Sequence, residues 1–360
     1  MNASPLRIGI AGLGTVGRGT LKVLGANADL LTARAGRELR PVAVSARDKT
    51  KDRGVPLKGL RWHDDPLALA DDPDIDVVVE LIGGSGGIAR QLCEKALSQG
   101  KHVVTANKAL LALHGTALAR AAETSGRTLA FEAAVAGGIP IIKALREGLA
   151  ANRIGRLYGI LNGTCNYILT KMRNEGREFV DVLKEAQALG YAEVDPSFDV
   201  DGVDTGHKLA ILAATAFGGE VDFPAVSLEG IRHVSLLDIR FAEELGYRIK
   251  LLGIARRTEM GIEQRVHPCM VPLAAPIAHV DDVYNAVVVE GDAVGTAVFE
   301  GRGAGEGPTA SAVVADIAYN AVEQELGALQ LAQGHECLRV QHVGLAFAPA
   351  DLLEHRLPLG

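Results

Sequence analysis

Cysteine is scarce in this chain: the four present, Cys93, Cys165, Cys269 and Cys337, form no C-x-x-C pair. That excludes a zinc-finger spacing and a dense disulfide framework, and makes reduced thiols the expectation. Basic residues are in deficit as well, with 37 Lys and Arg against 44 Asp and Glu and a formal net charge of −7. A nucleic acid or an anionic membrane surface needs a basic face to displace counterions or meet headgroups, so neither is an expected partner. Long apolar runs are missing too. The stretches Leu209 to Phe217 and Met270 to Ala278 stop well short of the roughly 18 residues a membrane helix requires. The N-terminus, MNASPLRIGIAGLG, carries no long apolar segment ahead of a small-residue cleavage site, so no export is expected and the cytoplasm is the expected location.

What is present is ordinary for a folded protein, 48% hydrophobic and 22% charged residues over 360 positions. That length exceeds what one core comfortably fills, so two domains are expected.

The first half alternates. Leu6 to Gly12 is a short apolar run, GLGTVG then spaces Gly12, Gly14 and Gly17 as G-x-G-x-x-G, and a helical pattern continues to Leu24. A dinucleotide turn asks for glycine at each place: for the tight turn, for approach of the pyrophosphate, and for close helix packing. Leu13, Thr15 and Val16 complete the turn. The strand pattern from Arg40 to Ala46 ends in SARDK, where an NAD site would usually offer an acid to the ribose hydroxyls. Ser45, Arg47 and Lys49 suit a 2′-phosphate instead, although a solvated loop would carry the same charges. Ile75 to Ile82 reads as a strand covered on both faces and ends in the flexible loop GGSGG. Helical spacing from Ile88 to Ser98, a strand at His102 to Thr105, a helix after Lys108 and a strand at Thr128 to Ala134 complete the alternation. The expected fold is therefore α/β, with an N-terminal Rossmann-type doubly wound parallel sheet. VVTANK sets Asn107 and Lys108 at the sheet edge where ligands bind, a place also natural for a helix-start surface lysine.

The second half changes character. FEAAVAGGIPIIKAL threads Gly137 and Gly138 between a strand and a helix; its carbonyls could hold a hard monovalent cation, or its glycines could merely permit a bend. RLYGILNGTCNYIL reads strand, turn, helix, with Asn162 or Thr164 as N-cap. A helix over Gly176 to Leu189 stops at Gly190. Runs at 247–255, 261–271, 283–291 and 293–301 read as strands of one mixed or antiparallel sheet, with Asp292 in a Gly-Asp turn between the last two; this α+β unit is the expected catalytic and dimerisation domain. A glycine-rich loop, Gly301 to Gly307, leads to Pro308 and an apolar helix ending near Val322. The expected division is 1–135 for the dinucleotide-binding domain, 136–307 for the substrate and dimerisation domain, and 308–360 for a helix and tail returning to the first.

Between these halves lies YAEVDPSFDVDGVDTGHK, Tyr191 to Lys208, with five carboxylates ahead of an apolar helix. Crowded carboxylates repel, so they need open solvent or a function. Asp204 and Lys208 are four apart and share one helix face. A surface pair there would contribute only about 0.3 to 0.5 kcal/mol, but the helix is apolar nearly all round, which implies burial. A buried lysine supported by carboxylates is a proton donor near neutral pH. Asp195 and Asp201 are expected in turn or capping roles.

With this stretch read beside VVTANK, FEAAVAGGIP, LNGTCNYIL and GRGAGEGPTASAV, the chain resembles the homoserine dehydrogenases over residues 6 to about 325. The resemblance implies reversible reduction of L-aspartate 4-semialdehyde to L-homoserine by NADPH or NADH, on the route to threonine, methionine and isoleucine. It makes Lys208 the proton donor, Asp204 its support, Glu193 the ligand of the substrate ammonium, and Lys108 a residue between cofactor and substrate. Asp199, Gly163, Thr164 and Tyr191 would border the substrate. Gly12 to Gly17, Ser85, Thr105, Ala106 and Gly305 would touch the cofactor. Glu132, Val135, Gly137 and Ile139 would hold a structural sodium or potassium ion, and a homodimer is implied. Many members carry a C-terminal ACT domain. The stretch after Val322 is shorter than the roughly 50 residues of a small domain, so threonine feedback through such a domain is not expected. Two rival readings are a nucleotide sensor that kept the fold and another amino-acid-directed reductase; the first need not keep a proton donor, and the second lacks LNGT and YAEVDP.

Overall fold

Strands β1 (Leu6–Ala11), β2 (Leu39–Ser45), β3 (Arg61–His63), β4 (Val77–Glu80), β5 (His102–Thr105) and β6 (Leu129–Ala130) form one parallel sheet in the order β3-β2-β1-β4-β5-β6. The computed structural model describes residues 4–332. Helices α1 (Thr15–Ala26), α2 (Ala28–Ala35), α3 (Ala68–Asp71), α4 (Gly87–Ser98) and α5 (Lys108–Ser125) link these strands. Every residue of β4 and β5 is buried, as the nearly unbroken apolar run at Ile75 to Ile82 requires of a sheet covered on both faces. The strand order reverses direction between β1 and β4, and ligands of such sheets bind at that switch point, beyond the strands' C-terminal ends.

The expected strand over Thr128 to Ala134 is shorter than its sequence suggests. After Ala130 the chain leaves the sheet in a 3-10 turn, Glu132–Ala134. The Glu132 amide donates to Asp316 instead of to a neighbouring strand. The next helix, α6 (Ile141–Lys143), runs into a π turn, Ala144–Gly148.

The second sheet contains β7 (Ile154–Ile160), β8 (Ser227–Leu228), β9 (Tyr247–Thr258), β10 (Gly261–Pro272), β11 (Tyr284–Gly291) and β12 (Gly295–Arg302), in the order β12-β11-β7-β9-β10-β8. It is antiparallel except for the β8–β10 pair, so the expected mixed sheet is present with all four of its predicted long strands. Helices α7 (Gly163–Glu175), α8 (Phe179–Ala188), α9 (Ser197–Val200), α10 (Val203–Phe217) and α11 (Leu236–Glu244) accompany it. The helix predicted from Gly176 begins at Phe179, because Gly176 with φ 65° ends α7 in the left-handed conformation.

One more helix, α12 (Glu306–Ala332), returns the chain to the first sheet, where it packs on α1 and α2. It extends beyond the predicted end near Val322. Gly19 makes this contact possible: a Cβ there would lie 2.7 Å from the Glu306 carbonyl oxygen. Cys337 and the tail from residue 333 lie outside the described residues.

Candidate active site

The glycine motif has the three geometries its spacing predicts. Gly12 has φ 97°, and a Cβ there would stand 2.4 Å from the Leu81 carbonyl oxygen. A Cβ on Gly17 would stand 2.0 Å from the Gly12 oxygen, whereas a Cβ on Gly14 would meet nothing within 4 Å. Gly12 and Gly17 are required by the fold; Gly14 leaves the backbone open to a ligand. Leu13 is buried in the first sheet's core and pins the turn. Thr15 and Val16 open α1, which has neither a side-chain N-cap bond nor an acid in its first turn. Its leading amides therefore present partial positive charge to open space, the arrangement that holds a pyrophosphate. The residues fit a dinucleotide. Gly12 donates through its amide to the Ser45 carbonyl at 2.9 Å, which places the start of the Arg47 loop beside the glycine turn.

A carboxylate that the sequence reading missed organises the neighbouring loops. Glu80, fully buried at the end of β4, accepts from the Ile82 and Gly83 amides and, at 2.6 Å, from the Thr105 hydroxyl. The Thr105 oxygen in turn accepts from the Asn107 amide, and Asn107 donates to the Gly84 carbonyl while capping α5. Ser85 and Ala106 are thus held on adjoining loops. They line a pocket of about 480 Å³ together with Gly84, Lys108, Phe198 and His207. Only a polar residue ending an apolar strand could have signalled Glu80. Gly305, with φ 131°, precedes α12, whose first residue Glu306 pairs with Arg18 and Lys22 of α1.

Lys208, Asp204 and Lys108 converge. The Lys208 ammonium donates to Asp204 Oδ2 at 2.6 Å and to the Leu161 carbonyl at 2.6 Å, and Lys108 lies 2.9 Å from Asp204 Oδ1. Asn162, the N-cap of α7, donates to Asp199 Oδ1 and to Asp204 Oδ2 while accepting from the Cys165 amide. Burial opposes ionisation of Asp204, but the two ammonium groups outweigh it and hold the carboxyl well below the usual range. Burial pushes Lys208 below the ordinary lysine value, with Asp204 opposing and Lys108 assisting. Burial likewise works against charge on the half-buried Lys108, yet Asp204 prevails and raises it. Asp199 is raised by burial.

The remaining acids separate. Asp195 accepts from the Ser197 amide, the turn role expected of it. Asp201 also has the expected turn and capping place, as the C-cap of α9 with its amide donating to the Ser197 carbonyl; its side chain pairs with Arg232, which also reaches Ser197, and the α10 N-cap is Gly202. Glu193 and Tyr191 are exposed. Thr164 donates to the Tyr191 carbonyl, tying that segment to the first turn of α7, and Tyr191 meets the Tyr167 ring edge-on at 5.1 Å. Gly163 sits so close to the Val283 carbonyl that a Cβ would lie 2.8 Å from it. His207 and Phe198, unassigned from sequence, form the wall nearest Lys108.

Around Gly137 the chain is packed tightly, a Cβ there lying 2.7 Å from the Gly303 oxygen. The Glu132 carboxylate accepts from the Ile142 and Lys143 amides and lies 3.7 Å from the Lys143 ammonium. It is therefore occupied, and a cation beside Val135, Gly137 and Ile139 would depend on backbone carbonyls. Among the described residues no three His, Cys, Asp or Glu side chains gather as metal ligands.

Comparison with known proteins agrees with this geometry. Residues 12–132 match the family model described as the homoserine dehydrogenase NAD binding domain, and residues 140–318 that described as homoserine dehydrogenase. The homoserine dehydrogenase of Neisseria gonorrhoeae is 52% identical over 97% of this chain and 77% of its own. That of Pseudomonas aeruginosa is 51% identical over 98% of this chain and 78% of its own. The crystal structure of a homoserine dehydrogenase from Thiobacillus denitrificans superposes with a TM-score of 0.90 at 53% identity, covering 96% of this chain and 78% of that one. A hyperthermophilic archaeal homoserine dehydrogenase in complex with NADPH gives 0.74 at 26% identity, covering 89% and 98%. The chain belongs to the homoserine dehydrogenase family, NAD(P)-dependent oxidoreductases that reduce aspartate semialdehyde to homoserine.

Proposed function

We propose that Lys208 donates the proton in this reduction. The observation that carries the reading is the shared carboxylate of Asp204, which faces the Lys208 and Lys108 ammonium groups through its two oxygens. When bound, NAD(P)H supplies the hydride. As negative charge builds on the aldehyde oxygen, Lys208 stabilises it and passes a proton to it, a transfer made easier by the lowered pKa. Asp204 keeps that ammonium charged beforehand, and Lys108 adds a second positive charge at the same place. Glu193 and Asp199 receive the substrate ammonium. Its α-carboxylate takes the free amides at Gly163 and Thr164, where the α7 dipole favours an anion, with Tyr191 alongside.

Gly12 to Gly17, with Ser85, Thr105, Ala106 and Gly305, would hold the cofactor. Ser45, Arg47 and Lys49, in place of an acid after β2, favour NADP over NAD. Backbone carbonyls of Glu132, Val135, Gly137 and Ile139 would hold a sodium or potassium ion in a structural role. The second domain, 136–307, dimerises through its sheet, a reading supported by the exposed Met270, Leu273 and Val298; light scattering tests it. No helix among the described residues is long and apolar enough to cross a membrane, and a cytoplasmic place in threonine, methionine and isoleucine synthesis suits the reaction.

The test mixes purified protein with aspartate 4-semialdehyde and each reduced nucleotide and follows the loss of nicotinamide absorbance. Oxidation dependent on the semialdehyde is expected, faster with NADPH. Nucleotide binding without oxidation would instead mark a sensor.

A further inference from the structure

The loop after β2 is closed by its own side chains. Oδ1 of the exposed Asp48 carboxylate accepts from the Thr50 amide at 2.8 Å, the Thr50 hydroxyl at 2.7 Å and the Lys51 amide at 3.2 Å. Arg53 donates to the Lys51 carbonyl at 2.7 Å and to the Asp48 carbonyl. Its guanidinium also lies 5.5 Å from the centroid of the Trp62 ring. Trp62 belongs to β3, the neighbour of β2, and its indole N–H donates to Asp64. Arg53 is thus a clasp with three attachments, two to the loop's backbone and one to the sheet.

The consequence concerns which charges face the cofactor. Asp48 is the acid nearest the end of β2, the position from which a carboxylate would receive ribose hydroxyls. Its Oδ1 is instead committed to Thr50 and Lys51, which fixes the carboxylate against the loop's own backbone, while Arg47 and Lys49 on either side are exposed and take no ion-pair partner among the described residues. We propose that Arg53 is a positioning residue for selection of a 2′-phosphorylated adenosine: by clasping the loop it keeps Asp48 fixed against that backbone and sets Arg47 and Lys49 toward the phosphate. This rests on the NADP reading above. A lysine could not replace Arg53, because one ammonium on a flexible stem lacks the planar fork that spans two carbonyls and stacks on an indole.

Competition against NADPH binding, followed by nucleotide fluorescence, compares adenosine 2′,5′-bisphosphate with 5′-AMP. In the unaltered protein the bisphosphate should bind more tightly, and Arg47→Ala should remove about a tenfold advantage, as expected for loss of a charge-assisted contact. Arg53→Ala and Arg53→Lys should each weaken the bisphosphate several-fold and leave 5′-AMP unchanged, with thermal stability preserved. Trp62→Phe, which keeps an aromatic face under the guanidinium, should retain the preference. Equal weakening of both nucleotides by Arg53→Ala, or no change in either, overturns the positioning role. If the unaltered protein does not distinguish the two nucleotides, the NADP reading itself fails, and the inference with it.

Discussion

Lys208 and Lys108, from different elements of the chain, meet the two oxygens of one buried carboxylate, Asp204, at 2.6 and 2.9 Å. Like charges are tolerated there because the anion lies between them and is fixed by Asn162 as well; two ammonium groups on one carboxylate leave an excess of positive charge. That excess is what an aldehyde oxygen needs when hydride reaches its carbon.

Removal of the proposed proton donor should abolish most catalysis without disturbing the fold. Lys208→Ala is expected to lower kcat by about 10² to 10⁴, with nucleotide affinity retained. Steady-state kinetics beside a binding titration check this; an undiminished kcat would end the assignment.

The pH profile should move in opposite directions in two variants. In the proposed role Lys208 acts in its protonated form, so reduction should fall as pH rises through its pKa, which burial sets below the ordinary lysine value. Asp204→Asn removes the group that raises it, and the alkaline limb should shift to lower pH. Lys108→Ala removes a charge that lowers it, and the limb should shift upward. Profiles of kcat against pH for the three proteins read both displacements.

The glycine turn should separate folding from binding. Gly17→Ala places a methyl 2.0 Å from the Gly12 oxygen and should lower stability by about 1 to 3 kcal/mol. Gly14→Ala meets nothing in the protein, so its melting temperature should hold while its nucleotide affinity drops. A melt and a titration of each variant suffice, and equal melting temperatures would contradict the packing argument.

Acid should weaken the second domain through Asp281. Burial opposes its ionisation, but Arg173 and Lys250 hold its pKa at about 2, against 3.8 for the free group. The folded state therefore binds this proton less readily than the unfolded chain. The resulting stability is complete above the unfolded pKa and disappears as pH falls from 3.8 toward about 2. Asp281→Asn, though less stable at neutral pH, should show a flatter decline of stability over that interval.

Local pattern carries a large part of this molecule. The alternation of apolar runs and helical spacing fixes the parallel sheet, G-x-G-x-x-G marks the nucleotide turn, and the four-residue step from Asp204 to Lys208 puts both on one face of α10. Those features depend on neighbours in the chain, so periodicity and spacing reveal them. Where the chain leaves a regular element for a distant partner, the pattern misleads: the strand predicted through Ala134 stops at Ala130 because the Glu132 amide bonds to Asp316.

The site itself was assembled by tertiary contact. Asn162 reads as a helix cap, and it is one, but its amide also bridges Asp199 and Asp204, 37 and 42 positions away. Glu80 falls within the strand expected over Ile75 to Ile82 and proves to hold two loops and Thr105. Lys108, by position alone an ordinary surface lysine, gains its role only when the first sheet's edge is brought against α10. A side chain's local spacing records which face it lies on; which charge it will meet there depends on the packing of segments far apart in the chain. The sequence by itself determined the two sheets, the glycine turn and the pairing of Asp204 with Lys208, and the tertiary structure alone decided that a second lysine and an asparagine would complete that pair.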